Sequence, residues 1–279
     1  MKRSVIKQSQ RLHFAIASLH FITLAMTKNI FTHLGCSHLK PTQIALLLEM
    51  ARAMTVEIEE YVNDNSDIIS SEFAINFSNR LLIHHATHTE KFGKKAFEYA
   101  FANASIATGK SAQIISSSTN PGTDVVVDGI NFSLKTEASA RINRKKITIS
   151  KLMEARWIRE CNTREDFANG VVNRVVRHLQ QYQRILILRA YNISRNQIKY
   201  ELIEIPHSLL LEIRNLTAND FTQKTVNGSC RAYVYIVEKK AFTLSLDGSV
   251  EKVTILGLDT DLCLYHASWI IPIFIEEHD

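Results

Sequence analysis

The sequence lacks the short motifs that mark several large classes of enzymes. It contains no GxxxxGK[ST], no GxGxxG and no GxSxG, which argues against P-loop, dinucleotide-binding and α/β-hydrolase chemistry. Its four cysteines are widely spaced and form no CxxC pair. A zinc ribbon and a disulfide framework are therefore not expected, and the reduced thiols of a cytoplasmic protein are the simpler interpretation.

The sequence also lacks an apolar run long enough to span a membrane. The nearest candidate, residues 14–26, contains His20, follows the polar residues 8–11 and is not followed by a small-residue cleavage site. This run fits a signal peptide poorly. A buried helix of a cytoplasmic protein with no membrane partner is the prediction for it.

The composition is that of an ordinary globular protein. The chain has 279 residues, of which 46% are hydrophobic and 22% charged, with no low-complexity tract and a formal net charge of +5. This length allows one large domain, or one domain with an appendage. The mild excess of positive charge is compatible with a polyanionic partner.

Periodicity and turn residues predict an N-terminal helical region, residues 1–65, followed by a larger domain, residues 66–279. Helices are expected from about 76 to 103, from 149 to 161 and from 165 to 183, and strands from residue 184 onward with a short helix among them. Thr163 and Asp166 predict a cap for the third helix. This order favours an α/β fold with a mixed central sheet flanked by helices.

The stretch TDVVVDGINFSLKTE, residues 123–137, predicts a β-hairpin. Asp128–Gly129 is a strong two-residue turn sequence, and it places Val127 opposite Ile130. Side chains alternate between the two faces of a strand. One face is therefore apolar and the other polar: the apolar face holds Val125, Val127, Ile130, Phe132 and Leu134, and the polar face holds Asp124, Ser133, Lys135 and Glu137.

The polar face gathers two carboxylates, a hydroxyl and an ammonium within a few residues. Neighbours on one face of a hairpin lie about 5 to 7 Å apart, which suits two carboxylates sharing a hard cation through oxygen ligands. A half-exposed hairpin with a merely solvated polar face is the alternative. Asp124 follows a Pro-Gly turn and a basic segment follows the hairpin, and both features favour a functional site.

This pattern resembles the PD-(D/E)xK nuclease superfamily, especially type II restriction endonucleases, over about residues 120–160. Asp124 matches the aspartate that opens one strand of that motif, and Lys135 matches its lysine. Ser133 departs from the pattern, because it stands where the family has an acid; Glu137 could supply the missing carboxylate. The family also draws an acid from the preceding helix, for which Glu90 is slightly preferred to Glu98.

The resemblance implies a restriction-endonuclease-like core and Mg²⁺-dependent cleavage of double-stranded DNA. Asp124 and Glu137, with Glu90, would hold Mg²⁺. Lys135 would orient the attacking water or stabilise the phosphorane, and Ser133 could bond to a metal-bound water. A homodimer that cuts a palindromic site, and a cognate DNA methyltransferase as genetic partner, are further implications.

A strongly basic segment follows the hairpin. Residues 141–159 carry seven cationic side chains and one acid, Glu154, a difference of +6, and such a patch would bind phosphates and release counterions. A solvated helix face is the alternative. The predicted DNA contacts are Arg141, Arg144, Lys145, Lys146, Lys151 and Arg156.

Two other interpretations compete with the nuclease. His84 and His88 have the i, i+4 spacing of metal ligands, but His85 stands where a zinc protease needs its glutamate, so surface or packing roles are favoured. A non-catalytic DNA-binding protein with a helical N-terminal reader is the alternative function. The recognition sequence and cut position are not readable from the sequence.

Overall fold

The computed structural model describes residues 38–115, 122–139 and 142–273. The chain divides into two compact units, residues 1–52 and 53–279, and the sequence-based boundary near residue 65 stays a prediction. Two predicted features lie outside the described residues: the apolar run 14–26 and Arg141. The first described helix, α1, covers Pro41–Met54, within the region predicted to be helical.

A seven-stranded mixed sheet is the centre of the larger unit, with the strand order β1-β11-β7-β6-β4-β3-β2. β4 and β6 are parallel, and the other described pairings in this sheet are antiparallel. The mixed sheet predicted from the sequence is thus confirmed. Its strands are β1 Glu59–Val62, β2 Ala112–Ile114, β3 Val125–Val127, β4 Ile130–Glu137, β6 Arg184–Ser194, β7 Gln197–Ile205 and β11 Leu264–Pro272.

One face of this sheet is covered by two helices, α2 (Ser71–Thr87) and α3 (Lys94–Ala107). The Ser70 side chain caps α2 by accepting the Phe73 N–H. Apolar side chains from both helices and from strands β3, β4, β6, β7 and β11 form one core with Trp269 at 0% exposure. This core holds α3 against the hairpin β3–β4.

The other face packs against a second, four-stranded antiparallel sheet with the order β5-β10-β9-β8. The helix predicted from 165 to 183 is confirmed as α4 (Arg164–Gly170), a π-helical turn (Val171–Val175) and α5 (Val176–Leu179), with a capping box between Thr163 and Asp166. A short helix, α6, covers His207–Leu211. Trp157 is buried in this second core. The strands of the second sheet are β5 Lys146–Glu154, β8 Cys230–Ile236, β9 Lys239–Asp247 and β10 Lys252–Asp259.

Three local predictions were wrong. The segment from 149 to 161 is not a helix, because Ile147 and Ile149 face the second core and β5 pairs with β10; only Arg156–Glu160 forms a 3₁₀ turn. Residues 59–62, expected to be helical, pair as β1 with β11. The helix expected from 76 to 103 is two helices, and Gly93 caps the second one.

No helix in the described ranges is both long and apolar enough to cross a membrane. Cys161, Cys230 and Cys263 are free thiols.

Candidate active site

The hairpin folds as its sequence predicts. Val127 pairs with Ile130 and Val125 with Phe132, and the turn residues Asp128 and Gly129 have φ values of 47° and 81°, which a type I′ turn requires. The apolar face is buried at Val125, Val127, Phe132 and Leu134. Ile130 is the exception at 40% exposure, because it adjoins the turn and contributes to neither core.

Asp124 stands at the entry to β3 and is fixed by the opposite strand. Its own N–H donates to the Phe132 carbonyl at 2.8 Å. Its Oδ2 accepts the Leu134 N–H at 2.7 Å and a longer bond, 3.4 Å, from the Ser133 hydroxyl. These donors leave Oδ1 for a cationic partner. The antiparallel pairing therefore orients the carboxylate before any substrate binds.

A second carboxylate reaches the same place from helix α3. The Lys94 ammonium lies 2.7 Å from Asp124 Oδ1 and 3.4 Å from Glu98 Oε1, and the Glu98 side chain is 4% exposed. Lys95 also pairs with Glu98, at 3.0 Å. Glu98 was the less favoured helix acid in the sequence. One cation therefore joins two acidic groups, one on the hairpin and one on the helix before it.

Lys135 lies on β4 and is itself nearly buried, at 9% exposure. Burial lowers the pKa of Lys135 to about 8, an effect that the nearby Asp124 carboxylate opposes and that the Lys94 ammonium strengthens. Lys135 lines a cleft of about 580 Å³ together with Lys94, Lys151 and His178. Burial likewise lowers the pKa of His178 to about 4. Three lysines and one acid, Glu154, therefore line this cleft.

The Glu137 carboxylate is bound by groups other than those around Asp124. Its Oε2 accepts Arg189 Nε at 2.7 Å and its Oε1 accepts the Thr148 N–H at 3.0 Å. Burial raises the pKa of Glu137, against the effect of Arg189. Glu137 shares a polar face with Lys135, as predicted, but its two oxygens are already engaged by protein donors.

Glu90 is exposed and lies in the loop between α2 and α3 rather than on a helix. His84 Nε2 donates to its backbone carbonyl at 2.8 Å. The structure thus separates Glu90 from the Asp124–Glu98 pair, because the predicted single helix is interrupted before Lys94. Lys94 pairs with Glu98, four residues further along α3.

The basic segment is divided among several environments. Arg144 and Lys145 are exposed, and the Arg144 guanidinium lies 5.1 Å from the centre of the Tyr191 ring. Lys146 pairs with Asp259 at 2.9 Å. Lys151 lies on β5 and pairs with Glu154 at 2.6 Å. Arg156 and Arg159 lie in the 3₁₀ turn that follows β5, and they approach Glu251 at 3.7 Å and 2.9 Å.

A separate cluster has the composition of a metal site. Ligand atoms of Asp67, Glu204 and His266 lie within 4.8 Å of one another. Arg184 already donates to both oxygens of Asp67, at 2.6 and 2.9 Å, and to both oxygens of Glu204. Because the Arg184 guanidinium already bonds to the oxygens of both carboxylates, the cluster is better described as an ion network that ties the loop before α2 to β6, β7 and β11.

The histidines of α2 are engaged in packing. His85 Nε2 is 2.7 Å from the Tyr200 hydroxyl and its Nδ1 donates to the His88 carbonyl at 3.1 Å. The rings of His84 and His88 stack with centroids 4.9 Å apart. These contacts agree with the structural role expected from the sequence.

Comparison with known proteins identifies the family. The family model named SmaI, described as type II site-specific deoxyribonuclease, matches residues 35–271. The chain belongs to the SmaI family of type II site-specific deoxyribonucleases. It is also 34% identical over 233 residues to the type II restriction enzyme SmaI of Serratia marcescens, a match that covers 80% of this chain and 88% of that enzyme. No solved structure matches the chain.

Membership of the SmaI family confirms the resemblance to type II restriction endonucleases, and the mixed sheet flanked by helices agrees with a restriction-endonuclease-like core. It also decides between the two functions left open by the sequence in favour of a site-specific DNA nuclease over a non-catalytic DNA-binding protein. Sequence reasoning assigned no role in the site to Lys94 or Arg189. The i, i+4 spacing of Lys94 and Glu98 was the available indication for the first.

Proposed function

We propose that this chain hydrolyses phosphodiester bonds of double-stranded DNA with Mg²⁺ held by Asp124 and Glu98, and with Lys135 acting on the attacking water. The observation that carries the proposal is the Lys94 ammonium, which joins the two carboxylates beside the buried Lys135. Glu98 takes the place that the sequence assigned to Glu137 or Glu90.

The two carboxylates fit a magnesium ion. Mg²⁺ prefers oxygen ligands, and is commonly held by one or two carboxylates together with waters and substrate phosphates. The ammonium of Lys94 stands in for a cation between the two acids, which shows that one positive charge can contact both. When bound, the ion would neutralise developing charge on the phosphate and acidify a bound water.

The chain's own groups supply orientation and a proton acceptor. Leu134 N–H holds Asp124 Oδ2, so Oδ1 keeps a fixed direction. Lys135, with a pKa of about 8, exchanges its proton close to neutral pH, where an amine is an effective acid or base. In its charged form it would stabilise negative charge on the phosphate, and in its neutral form it would accept a proton from water. Ser133 supports Asp124 by a weak bond.

Double-stranded DNA would be held by the exposed basic side chains beside the cleft. Arg144, Lys145 and Arg156 are exposed and Lys151 lines the cleft itself. Lys146 is committed to Asp259 and is expected to contribute less. Phosphate contacts of this kind fix the register of the protein on DNA without reading its sequence.

The assignment of the acids can be tested with matched Glu→Gln variants. Glu98→Gln, Asp124→Asn and Lys135→Met are expected to lower the single-turnover cleavage rate by at least about 100-fold, because each removes a charged group at the reacting phosphate. Glu90→Gln, the matched control, should cleave at the wild-type rate. Binding to DNA in metal-free buffer should survive in all four. Full cleavage by Lys135→Met or by Glu98→Gln would refute the proposed site.

Incubation of a plasmid with Mg²⁺, Ca²⁺ or EDTA tests the metal dependence. Discrete fragments with Mg²⁺ and none with EDTA are expected. Cleavage that persists in EDTA would contradict the magnesium proposal while leaving family membership intact.

We also infer a cytoplasmic homodimer that acts together with a cognate DNA methyltransferase. A two-fold dimer would place one active site on each strand of a palindromic site, and an unprotected host genome would otherwise be cut. Sedimentation equilibrium with and without a palindromic duplex tests the dimer; a monomer under both conditions would contradict it.

A further inference from the structure

The arginine at position 189 has no role in the chemistry described above, yet it is wholly buried. Its Nε donates to Glu137 Oε2 at 2.7 Å. Its two terminal nitrogens donate to three backbone carbonyls, those of Asn143 at 2.6 Å, Lys146 at 3.1 Å and Arg144 at 3.2 Å. A buried charge is tolerated only when it is paired and hydrogen-bonded, and here most of its donors are directed at one short stretch of chain.

That stretch is residues 143–146, at the entry to β5. The remaining carbonyl, that of Lys145, accepts the Thr260 N–H at 3.1 Å. Four consecutive backbone carbonyls of this basic segment thus accept hydrogen bonds from Arg189 or Thr260. The side chains of Arg144 and Lys145, unlike that of Lys146, stay exposed.

The same ion pair is built on the strand that carries Lys135. Glu137 lies two residues beyond Lys135 on β4 and pairs in register with Arg189 on β6. Glu137 also accepts the Thr148 N–H of β5. The pair therefore ties β4, β5 and β6 together at one point, adjacent to the cleft.

A second contact orients the Arg144 side chain. Its guanidinium stacks over the Tyr191 ring, and the Tyr191 hydroxyl donates to Glu201 Oε1 at 2.7 Å. Glu201 in turn lies 3.5 Å from Arg189. The backbone and the side chain of the segment are thus organised by one buried network.

We propose that Arg189 and Glu137 are positioning residues that hold residues 143–146 so that Arg144 and Lys145 bind DNA phosphates in fixed register with Lys135. The proposal rests on the function proposed above, and it assigns Glu137 to the DNA-binding scaffold rather than to the metal. The ion pair sets the distance between Lys135, which acts on the scissile phosphate, and the side chains of Arg144 and Lys145, which bind the neighbouring phosphates.

Arg189→Lys tests the proposal through the salt dependence of DNA binding in metal-free buffer. Lysine can still pair with Glu137 but lacks the fork that reaches three carbonyls. The dependence of log K on log salt is expected to weaken by about 0.9 for each phosphate that the protein no longer neutralises, between about 50 mM and about 200 mM salt. KM for DNA should rise several-fold more than kcat falls.

Arg184→Lys is the matched control, because Arg184 is a largely buried, ion-paired arginine at the first residue of the same strand. It is expected to lower the unfolding midpoint without changing the salt slope. Arg144→Ala should reduce the slope by about 0.9, and adding Arg144→Ala to Arg189→Lys should cause little further change, since Arg189 acts through that segment. An unchanged slope in Arg189→Lys, or full additivity of the two changes, would overturn the proposal.

Glu137→Gln provides a milder variant should Arg189→Lys fail to fold. Glutamine preserves the shape but weakens the bond to Arg189, so the salt slope should fall while the Mg²⁺ concentration for half-maximal cleavage stays at the wild-type value. A rise in that Mg²⁺ concentration with an unchanged slope would make Glu137 a metal ligand and refute this inference. Because the salt slopes are measured without metal, they do not depend on whether Lys135 and Glu98 act as proposed.

Discussion

Ser133 stands at the motif position where the nuclease superfamily has an acid, and its surroundings disfavour a carboxylate there. It is fully buried at 0% exposure and donates to Asp124. A carboxylate here would sit against the Asp124 carboxylate, and two like charges in a buried site disfavour each other's ionised forms. In the proposed site the second carboxylate comes instead from Glu98 on helix α3, which pairs with Lys94 and Lys95.

His85 is a buried titratable residue whose neutral form the fold selects. Its Nδ1–H donates to the His88 carbonyl, so its Nε2 is the acceptor for the Tyr200 hydroxyl, which itself accepts the Phe92 N–H. Burial lowers the pKa of His85 to about 4. A protonated ring would lose the bond from Tyr200.

The free energy of unfolding should therefore depend on pH through His85. The folded-state pKa lies below the ordinary value of 6.5, so the unfolded chain binds more protons between the two values. The contribution of His85 to the free energy of unfolding is fully present above about pH 6.5. It decreases as the pH falls toward 4, by up to about 1.4 kcal/mol per pH unit. His85→Asn should flatten this dependence in urea titrations at several pH values. A slope identical to that of the wild type would contradict the assignment.

At the scale of elements, the hairpin β3–β4 depends on two turn residues with positive φ. A Cβ at Gly129 would meet no atom within 4 Å, so any effect of a substitution there arises from backbone conformation rather than from crowding. Asp128 tolerates its φ because its Oδ1 accepts the Ser111 N–H at 2.9 Å. The turn fixes the register that places Asp124 opposite Ser133.

Gly129→Ala is expected to lower the free energy of unfolding by about 1 to 2 kcal/mol, the cost of a left-handed conformation for a residue with Cβ. Gly129→Asn is the matched control and should lose less, because asparagine tolerates this region. Urea denaturation measures both. Equal losses in the two variants would show that conformation at residue 129 is not the cause.

At the scale of the whole unit 53–279, one sheet separates two cores. Strand β6 alternates between them: Ile185 and Ile187 face one core, and Leu186 and Leu188 face the other. The chain's two tryptophans are divided in the same way: Trp269 lies in the core under α2 and α3, and Trp157 lies in the second core. Because both cores include side chains of the same strands, neither core can unfold without exposing apolar side chains of the other.

We therefore expect both cores to unfold in a single transition. In Trp157→Phe, fluorescence reports on the core around Trp269, and in Trp269→Phe on the core around Trp157. In each variant the fluorescence and far-ultraviolet circular dichroism curves in urea should coincide, as they do for a two-state domain. A fluorescence transition that precedes the dichroism transition in either variant would mean that the two cores unfold separately.

Local patterns determined much of this protein from sequence alone. Period-two alternation and the Asp128–Gly129 turn gave the hairpin with its apolar and polar faces, and the capping box at Thr163 gave the start of α4. These features depend on residues a few positions apart, so their chemistry is visible along the chain. Residues 149–154 show the limit, since they were predicted to be helical but lie in β5, which pairs with β10 about a hundred residues away.

Only the tertiary structure decided which acids can meet. Glu137 lies two residues from Lys135 in the sequence, and Glu90 was slightly preferred to Glu98 as the helix acid. In the structure Glu137 is bound by Arg189 and Glu90 lies in an exposed loop. Glu98 joins Asp124 because α3 packs on the hairpin and brings Lys94 within reach of both. Spacing along a chain fixes which side chains share a face, whereas the partner of a buried charge is fixed by whatever distant donor the fold places beside it.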